Sequence, residues 1–379
     1  MAGRNPPNTP TIILAAGGTG GHIFPAVALA EVLASRGLKP VLVTDHRFHD
    51  YTKHGKAEDS IFGSLPILTI RAGGIGKGIC RKLTSPFGIA LGVVQALAHL
   101  RRLKPRAVIG FGGYPSFPTV LAAILRRDVT LIHEQNSVLG KANRVLAPYV
   151  HAIAATYADP RYLADAMKPK TSLTGNPVRA ALSTLHHVPY PMLEADGMLR
   201  ILVIGGSQGA SVFSDIIPQA IERLSDKLRL RIRIDQQCRE GEMETVRARY
   251  AAMGLQADIK PFFADVAVRV ASAHLVISRA GASSVAELTA AGRPAIFVPL
   301  PSATDNHQYF NAEAIEDLGG GWVMAQEAFT AEALAAKLET YLRSPRTLQD
   351  AADRMRLLGR PKAAEALADL VMARAKLSV

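Results

Sequence analysis

Cysteine is scarce in this sequence: only Cys80 and Cys238 occur, far apart and outside any C-x-x-C pattern. That excludes a disulfide framework and a thiolate metal site, and it fits a reducing compartment. Long apolar runs are also missing. The longest, residues 87–100, is interrupted by Gln95 and His99 and is too short to span a bilayer. Residues 1–10 are polar and rich in Pro and Asn, without the apolar core of a signal peptide. A soluble or membrane-surface protein is therefore expected. No zinc finger, recognition helix or aromatic RNA platform accompanies the basic residues, which makes nucleic acid the weakest class of partner.

What the chain does have is length, small apolar residues and positive charge. Its 379 residues exceed the usual reach of one hydrophobic core, so two domains are expected. Hydrophobic residues make up 48% and charged residues 20%, enough to build both cores. The formal net charge of +12 calls for an acidic partner, such as a nucleotide-sugar or an anionic lipid.

Short β-branched runs at 11–15, 40–44, 107–110, 129–133 and 152–155 alternate with helical patterns and read as buried parallel strands. The alternation restarts with runs at 200–204, 228–234, 257–260, 275–278 and 295–299. The expectation is an α/β protein with two Rossmann-like, doubly wound parallel sheets. Its domains would be 1–177 and 198–360, joined by a Pro-containing linker at 178–197, with an Ala/Leu-rich helix at about 361–379 packing back on the first.

Each half opens with strand, glycine turn and helix. In the first turn, Gly17 to His22, glycines let main-chain N–H groups approach an anion at a helix N-terminus. Ile23 stands where the dinucleotide fingerprint needs its last glycine, which weakens an oxidoreductase reading despite Asp45 at the end of the second strand. The second turn, Gly205 to Ala210, adds the Ser207 hydroxyl. Two such turns facing one another imply a ligand in a cleft. The alternative is a close-packed turn without a ligand.

At 278–287, SRAGASSVAE follows a strand and opens a helix, with Ser283 or Ser284 as the expected N-cap. Glu287 could accept from both hydroxyls of a ribose or close a capping box. FGGYPS at 111–116 and HEQN at 133–136 also follow strands, where open α/β sheets gather their active groups, although a polar run there can equally be a solvated loop. Residues 73–78 tempt a P-loop reading, but Gly78 replaces the magnesium-holding hydroxyl and Arg71 the leading glycine. The stretch mixing Ile75, Ile79, Leu83 and Phe87 with Lys77, Arg81 and Lys82 suits an anionic lipid surface, or an ordinary basic face over the core.

In order, GGTGGH, FGGYPS, HEQN, GNPVR, GGSQGA, SRAGASSVAE and DNHQYFNA span residues 17–312, and together they resemble the MurG family. The resemblance implies a GT-B fold with two domains facing across a cleft. It also implies an inverting transfer of N-acetylglucosamine from UDP-N-acetylglucosamine to lipid I, undecaprenyl-pyrophosphoryl-N-acetylmuramoyl-pentapeptide, giving lipid II. The place of work would be the cytoplasmic face of a bacterial inner membrane, as a peripheral protein in cell-wall synthesis, with cell-wall or division proteins as further candidate partners. By matching position, Thr19, Gly20 and Gly21 line the phosphate region and Asn136 reaches the donor sugar. Arg179 and Ser207 address the diphosphate, Phe263 lies beside the uracil, Ala282, Ser283, Ser284, Val285, Ala286 and Glu287 bind the nucleotide, and Gln308 holds sugar hydroxyls.

Asp235 to Cys238 and His307 depart from the family pattern. Inversion needs a base for the acceptor hydroxyl. His22 is the first candidate, because the unperturbed imidazole pKa of about 6.5 suits proton transfer at neutral pH, and Glu134 is the second. No D-x-D pattern is present, so the sequence identifies no protein ligand for magnesium and requires no cofactor.

Overall fold

The computed structural model describes residues 9–17, 20–45, 65–72, 79–206 and 209–378, apart from the side chains of 79–86. It forms two compact units, Met1–Arg179 with Lys362–Val379, and Ala180–Pro361.

In the first unit, β1 (Thr11–Ala15), β2 (Lys39–Asp45), β3 (Ile67–Ile70), β4 (Ala107–Gly110), β5 (Thr130–Glu134), β6 (Ala152–Ala155) and β7 (Thr171–Leu173) make a parallel sheet. Their order is β3-β2-β1-β4-β5-β6-β7. Central β1 and β4 are buried at every residue, as a parallel sheet covered on both faces requires. The edge strands β3 and β7 are short and partly exposed, and neither stands out as an apolar run.

The helix Gly20–Ser35 buries Ile23, Ala26, Val27, Leu29, Ala30 and Leu33, leaving little of a polar face. A helix apolar all round needs cover on its outer side as well. The C-terminal helix Ala363–Ala375 supplies it, burying Leu367, Ala368, Val371 and Met372 in the same cluster. The chain end thus completes the first unit's core.

In the second unit, β8 (Leu199–Ile204), β9 (Ile232–Gln237), β10 (Gln256–Lys260), β11 (Leu275–Ser278), β12 (Ala295–Phe297) and β13 (Gly321–Val323) form a parallel sheet ordered β10-β9-β8-β11-β12-β13. The strand expected at 228–234 lies later in the chain, because Asp226–Arg229 coils into a helical turn. Near its end Gln236 is buried and accepts at Oε1 from Tyr250 Oη at 2.6 Å, while Nε2 of half-buried Gln237 donates to the Pro261 carbonyl at 3.1 Å.

Residues 180–197, inside the stretch read as linker, are built into this second unit. Leu182 and Leu185 join one of its apolar clusters, and Tyr190 and Leu193 join the other. Arg293, fully buried, fastens them. Its guanidinium donates to the carbonyls of Val270, Ala291, Ala271 and Pro189 at 3.0, 2.7, 3.0 and 3.4 Å. A buried charge with that many acceptors is costly to replace, because each carbonyl would lose its partner.

Candidate active site

The order of the first sheet reverses between β1 and β4, and the crevice outside the carboxyl ends at such a reversal is where open α/β sheets bind ligands. Both strands run there into glycine turns. Gly17 follows β1; a Cβ on it would fall 2.8 Å from Pro115 and 2.9 Å from Thr44 Oγ1. Gly112 and Gly113 follow β4 with φ of 80° and 73°. Gly20 and Gly21 begin the helix whose first N–H groups have no intrahelical acceptor.

His22, half-buried in that first helical turn, lies against the β4 turn. A Cβ on Gly113 would lie 3.3 Å from its Cδ2, and one on Gly112 would lie 3.5 Å from its Cε1. Thr19 lies outside the described residues. Arg179 stacks its guanidinium over the Phe24 ring at 5.4 Å, on the helix that carries His22.

The HEQN segment is a buried network, not a solvated loop. His133, Glu134 and Gln135 are each 1% exposed or less. Glu134 Oε1 accepts from the amide nitrogen and Nδ2 of Asn136 at 3.0 and 3.1 Å. Its Oε2 accepts from Gly140 N and Asn143 Nδ2, both at 2.8 Å. A carboxylate with four donors, shut away from solvent, is a poor choice for a base and a good one for fixing half-buried Asn136. The geometry therefore speaks against the second candidate on physical grounds.

Gln135 Nε2 donates to the Phe111 carbonyl at 2.7 Å and to His133 Nδ1 at 3.1 Å, while His133 Nε2 donates to the Gly175 carbonyl at 3.0 Å. This chain ties the ends of β4, β5 and β7 together. Burial pushes the His133 imidazole down to about 4, with nearby His22 adding to the effect and the Gly175 hydrogen bond opposing it.

The second sheet reverses between β8 and β11. Gly205 ends β8 so tightly that a Cβ would fall 2.6 Å from the Ala210 amide nitrogen, and the helix Ser211–Glu222 follows. Ser207 lies outside the described residues. After β11, the helix Ala282–Ala291 takes Gly281 as N-cap, not Ser283 or Ser284. Glu287 is thereby too far inside to close a capping box, which needs a carboxylate at the third helical position. Val285 is buried, whereas Ala282, Ser283, Ser284, Ala286 and Glu287 are half-buried. Ser283 Oγ is shielded from solvent and finds no hydrogen-bond partner among the described residues.

Two residues without an expected role organise this end. Arg279 donates to the carbonyls of Val298 and Pro299 at 3.1 and 3.2 Å and to Gln326 Oε1 at 2.8 Å. Asn311 Nδ2, fully buried, donates to the Ala280 carbonyl at 3.2 Å and docks the helix His307–Glu316 on the β11 turn. On that helix Gln308 Oε1 accepts from Leu300 N at 3.0 Å, leaving its amide N–H groups to donate. His307 turns aside to donate from Nδ1 to the Thr304 carbonyl at 2.7 Å. Phe263, expected beside the uracil, is 3% exposed, and the Arg269 guanidinium covers its ring at 4.0 Å. Asp235 pairs with Arg269 at 3.0 Å, and Cys238 is buried against Ser214 Oγ at 3.3 Å, which gives that departing segment a packing role.

Among the described residues, no three His, Cys, Asp or Glu side chains come together to hold a metal. Among those residues, no helix is long and apolar enough to cross a membrane. Ile75 and Lys77 lie outside the described residues, as do the side chains of Ile79, Arg81, Lys82 and Leu83. On the helix Ile79–Leu103, Phe87, Leu91 and Val94 are 80%, 40% and 61% exposed at i, i+4, i+7 spacing, and Arg101 and Arg102 are exposed in its last turn.

His133 gives this arrangement a pH signature. Between pH 6.5 and about 4 the unfolded chain carries a proton on this ring that the folded chain does not, so stability is full above 6.5 and falls as pH falls through that window. The melting temperature should therefore drop on going from pH 7 to pH 5, and drop less in His133→Gln. Equal slopes for the two proteins would contradict the buried neutral imidazole.

Comparison with known proteins agrees with this geometry. The N-terminal domain model of glycosyltransferase family 28 matches residues 12–155, and the C-terminal domain model matches residues 200–367. A UDP-N-acetylglucosamine–N-acetylmuramyl-(pentapeptide) pyrophosphoryl-undecaprenol N-acetylglucosamine transferase from Paramagnetospirillum magneticum is 51% identical, over 96% of each chain. Its namesake from Rhodospirillum centenum is 47% identical, over 97% of this chain and 95% of that one. The crystal structure of Acinetobacter baumannii MurG superposes with a TM-score of 0.76 at 31% identity, covering 96% of this chain and 99% of that one. A UDP-GlcNAc 2-epimerase from Neisseria meningitidis, at 12% identity and a TM-score of 0.66 over 96% of this chain and all of that one, shares the fold alone. The chain belongs to glycosyltransferase family 28, and within it to the MurG family.

Proposed function

We infer that this chain is a glycosyltransferase that moves N-acetylglucosamine from UDP-N-acetylglucosamine to the 4-hydroxyl of the N-acetylmuramoyl unit of lipid I, giving lipid II. The substrates are those in the printed names of its relatives. The structural observation that carries the chemistry is the His22 imidazole held against the Gly112–Gly113 turn where the first sheet reverses.

The acceptor oxygen attacks the anomeric carbon as the bond from that carbon to the β-phosphate oxygen breaks. The electron pair leaves with UDP, and the acceptor proton passes to His22 as base. Attack opposite the leaving group inverts the centre. At the first turn, Gly20 and Gly21 offer main-chain N–H groups to phosphate, and Glu134 fixes Asn136 for the donor sugar.

In the second unit, Glu287 accepts from the ribose diol and Ser283 supplies a hydroxyl that has no partner among the described residues. Gln308 donates its amide to a sugar hydroxyl. Ser207 and Arg179 address the diphosphate, whose developing charge the helix N-termini help to stabilise.

Purified chain given labelled UDP-N-acetylglucosamine and a short-chain lipid I analogue should release UDP only when the acceptor is present, and UDP-N-acetylgalactosamine should serve poorly. His22→Ala should lower kcat about 100-fold or more, the scale of general-base catalysis, with donor affinity within about twofold. Near-normal turnover in that variant would remove His22 from the mechanism. Epimer formation without acceptor would point to the epimerases of the same fold.

The exposed stripe of Phe87, Leu91 and Val94, continued by Arg101 and Arg102, supports peripheral attachment to the anionic cytoplasmic leaflet that carries the acceptor. Each apolar side chain buried in lipid contributes about 1.5–3 kcal/mol and each basic residue about 1 kcal/mol. Joint replacement of Phe87 and Val94 by serine should weaken partitioning onto phosphatidylglycerol vesicles at least tenfold and spare turnover of a soluble acceptor. Unchanged partitioning would contradict the assignment.

A further inference from the structure

On one face of the second sheet, Arg200 of β8 stands in direct register with Arg233 of β9. Like charges side by side on neighbouring strands repel. Both side chains are exposed, and among the described residues neither guanidinium is within ion-pair distance of a carboxylate. The acids nearby are already taken. In the next register row, Asp235 and Asp258 share Arg269 at 3.0 and 2.7 Å, and Asp265 binds the same guanidinium at 2.8 Å. Asp258 also reaches Lys260 at 3.2 Å.

The arginine pair borders a cavity of about 250 Å³. Leu202 and Ala273 lie on its apolar side, Arg269 and Ser272 line it from the helix Val266–Ser272, and Asp235, whose charge Arg269 neutralises, also lines it. The positive field reaches a neighbour: burial first, then Arg200 and Arg293, push the His274 imidazole down to about 4.

We propose that this cavity is a second anion site, in which the Arg200 and Arg233 guanidiniums together bind the phosphoryl group of a small phosphate-class dianion. Paired guanidiniums match the oxygens of phosphate with parallel N–H bonds, and a bound dianion relieves the cross-strand repulsion. The site is separate from the glycine turn of this unit. Arg200 lies four residues before Ile204 at the carboxyl end of β8, about 13 Å away at ~3.3 Å per residue. The apolar lining leaves room for a small organic body attached to the phosphate.

The test is calorimetric titration of the full chain with inorganic phosphate and, separately, with glucose 6-phosphate. Saturating UDP keeps the nucleotide site filled, and chloride holds the ionic strength constant. Wild type should bind both saturably. Arg200→Gln and Arg233→Gln should each weaken binding at least tenfold while leaving UDP affinity unchanged, which shows that the variants are folded. Tighter binding of the ester would assign the apolar lining to its organic body, and equal binding would confine recognition to the phosphoryl group. No saturable binding by wild type, or wild-type affinity in the double variant, would overturn the proposal.

Discussion

A main chain can present its N–H groups to phosphate only where no side chain stands between, and both sheets are built around that constraint. Gly17 and Gly205 each end the strand beside an order reversal, and each has atoms within 3 Å of where a Cβ would be. The helices Gly20–Ser35 and Ser211–Glu222 start just beyond them, so the donors each helix leaves without internal partners come at the carboxyl end of its sheet. The position of His22 follows from the same packing, because the imidazole rests on glycines that leave room for it.

Around these turns, buried polar groups provide the stiffness that loops lack. The chain from Phe111 through Gln135 and His133 to Gly175 links three strand ends. In the second unit Arg279 and Asn311 fasten the β11 turn to its neighbours. Such networks hold nearby groups to the tolerance that catalysis requires. Arg293 plays the structural counterpart farther from the turns, holding residue 189 and the ends of two helices through main-chain carbonyls.

Central strands and glycine turns were legible in the sequence because they are local: apolar runs of strand length, then Gly-rich segments before helices. Edge strands β3, β7 and β13 escaped because three or four partly exposed residues carry little periodicity. The helix cap at Gly281 escaped because the neighbouring serines are better caps by type, and main-chain geometry decided otherwise. Phe263 was placed by position along the chain, which says nothing of the direction of its side chain. The roles of Glu134 and Asn311 depend on contacts across strands and helices that spacing does not encode. The stripe of Phe87, Leu91 and Val94 was readable in principle from its helical spacing, yet it lies within a run that also resembles a core helix.

The central claim is that the glycine turn of the first unit positions the base while the second unit holds the nucleotide. Turnover and UDP affinity of Gly17→Ala, measured on the same preparation, test it most directly. The added methyl group must displace Pro115 or Thr44, so kcat should fall at least about tenfold with UDP affinity unchanged. Wild-type turnover in that variant would contradict the account.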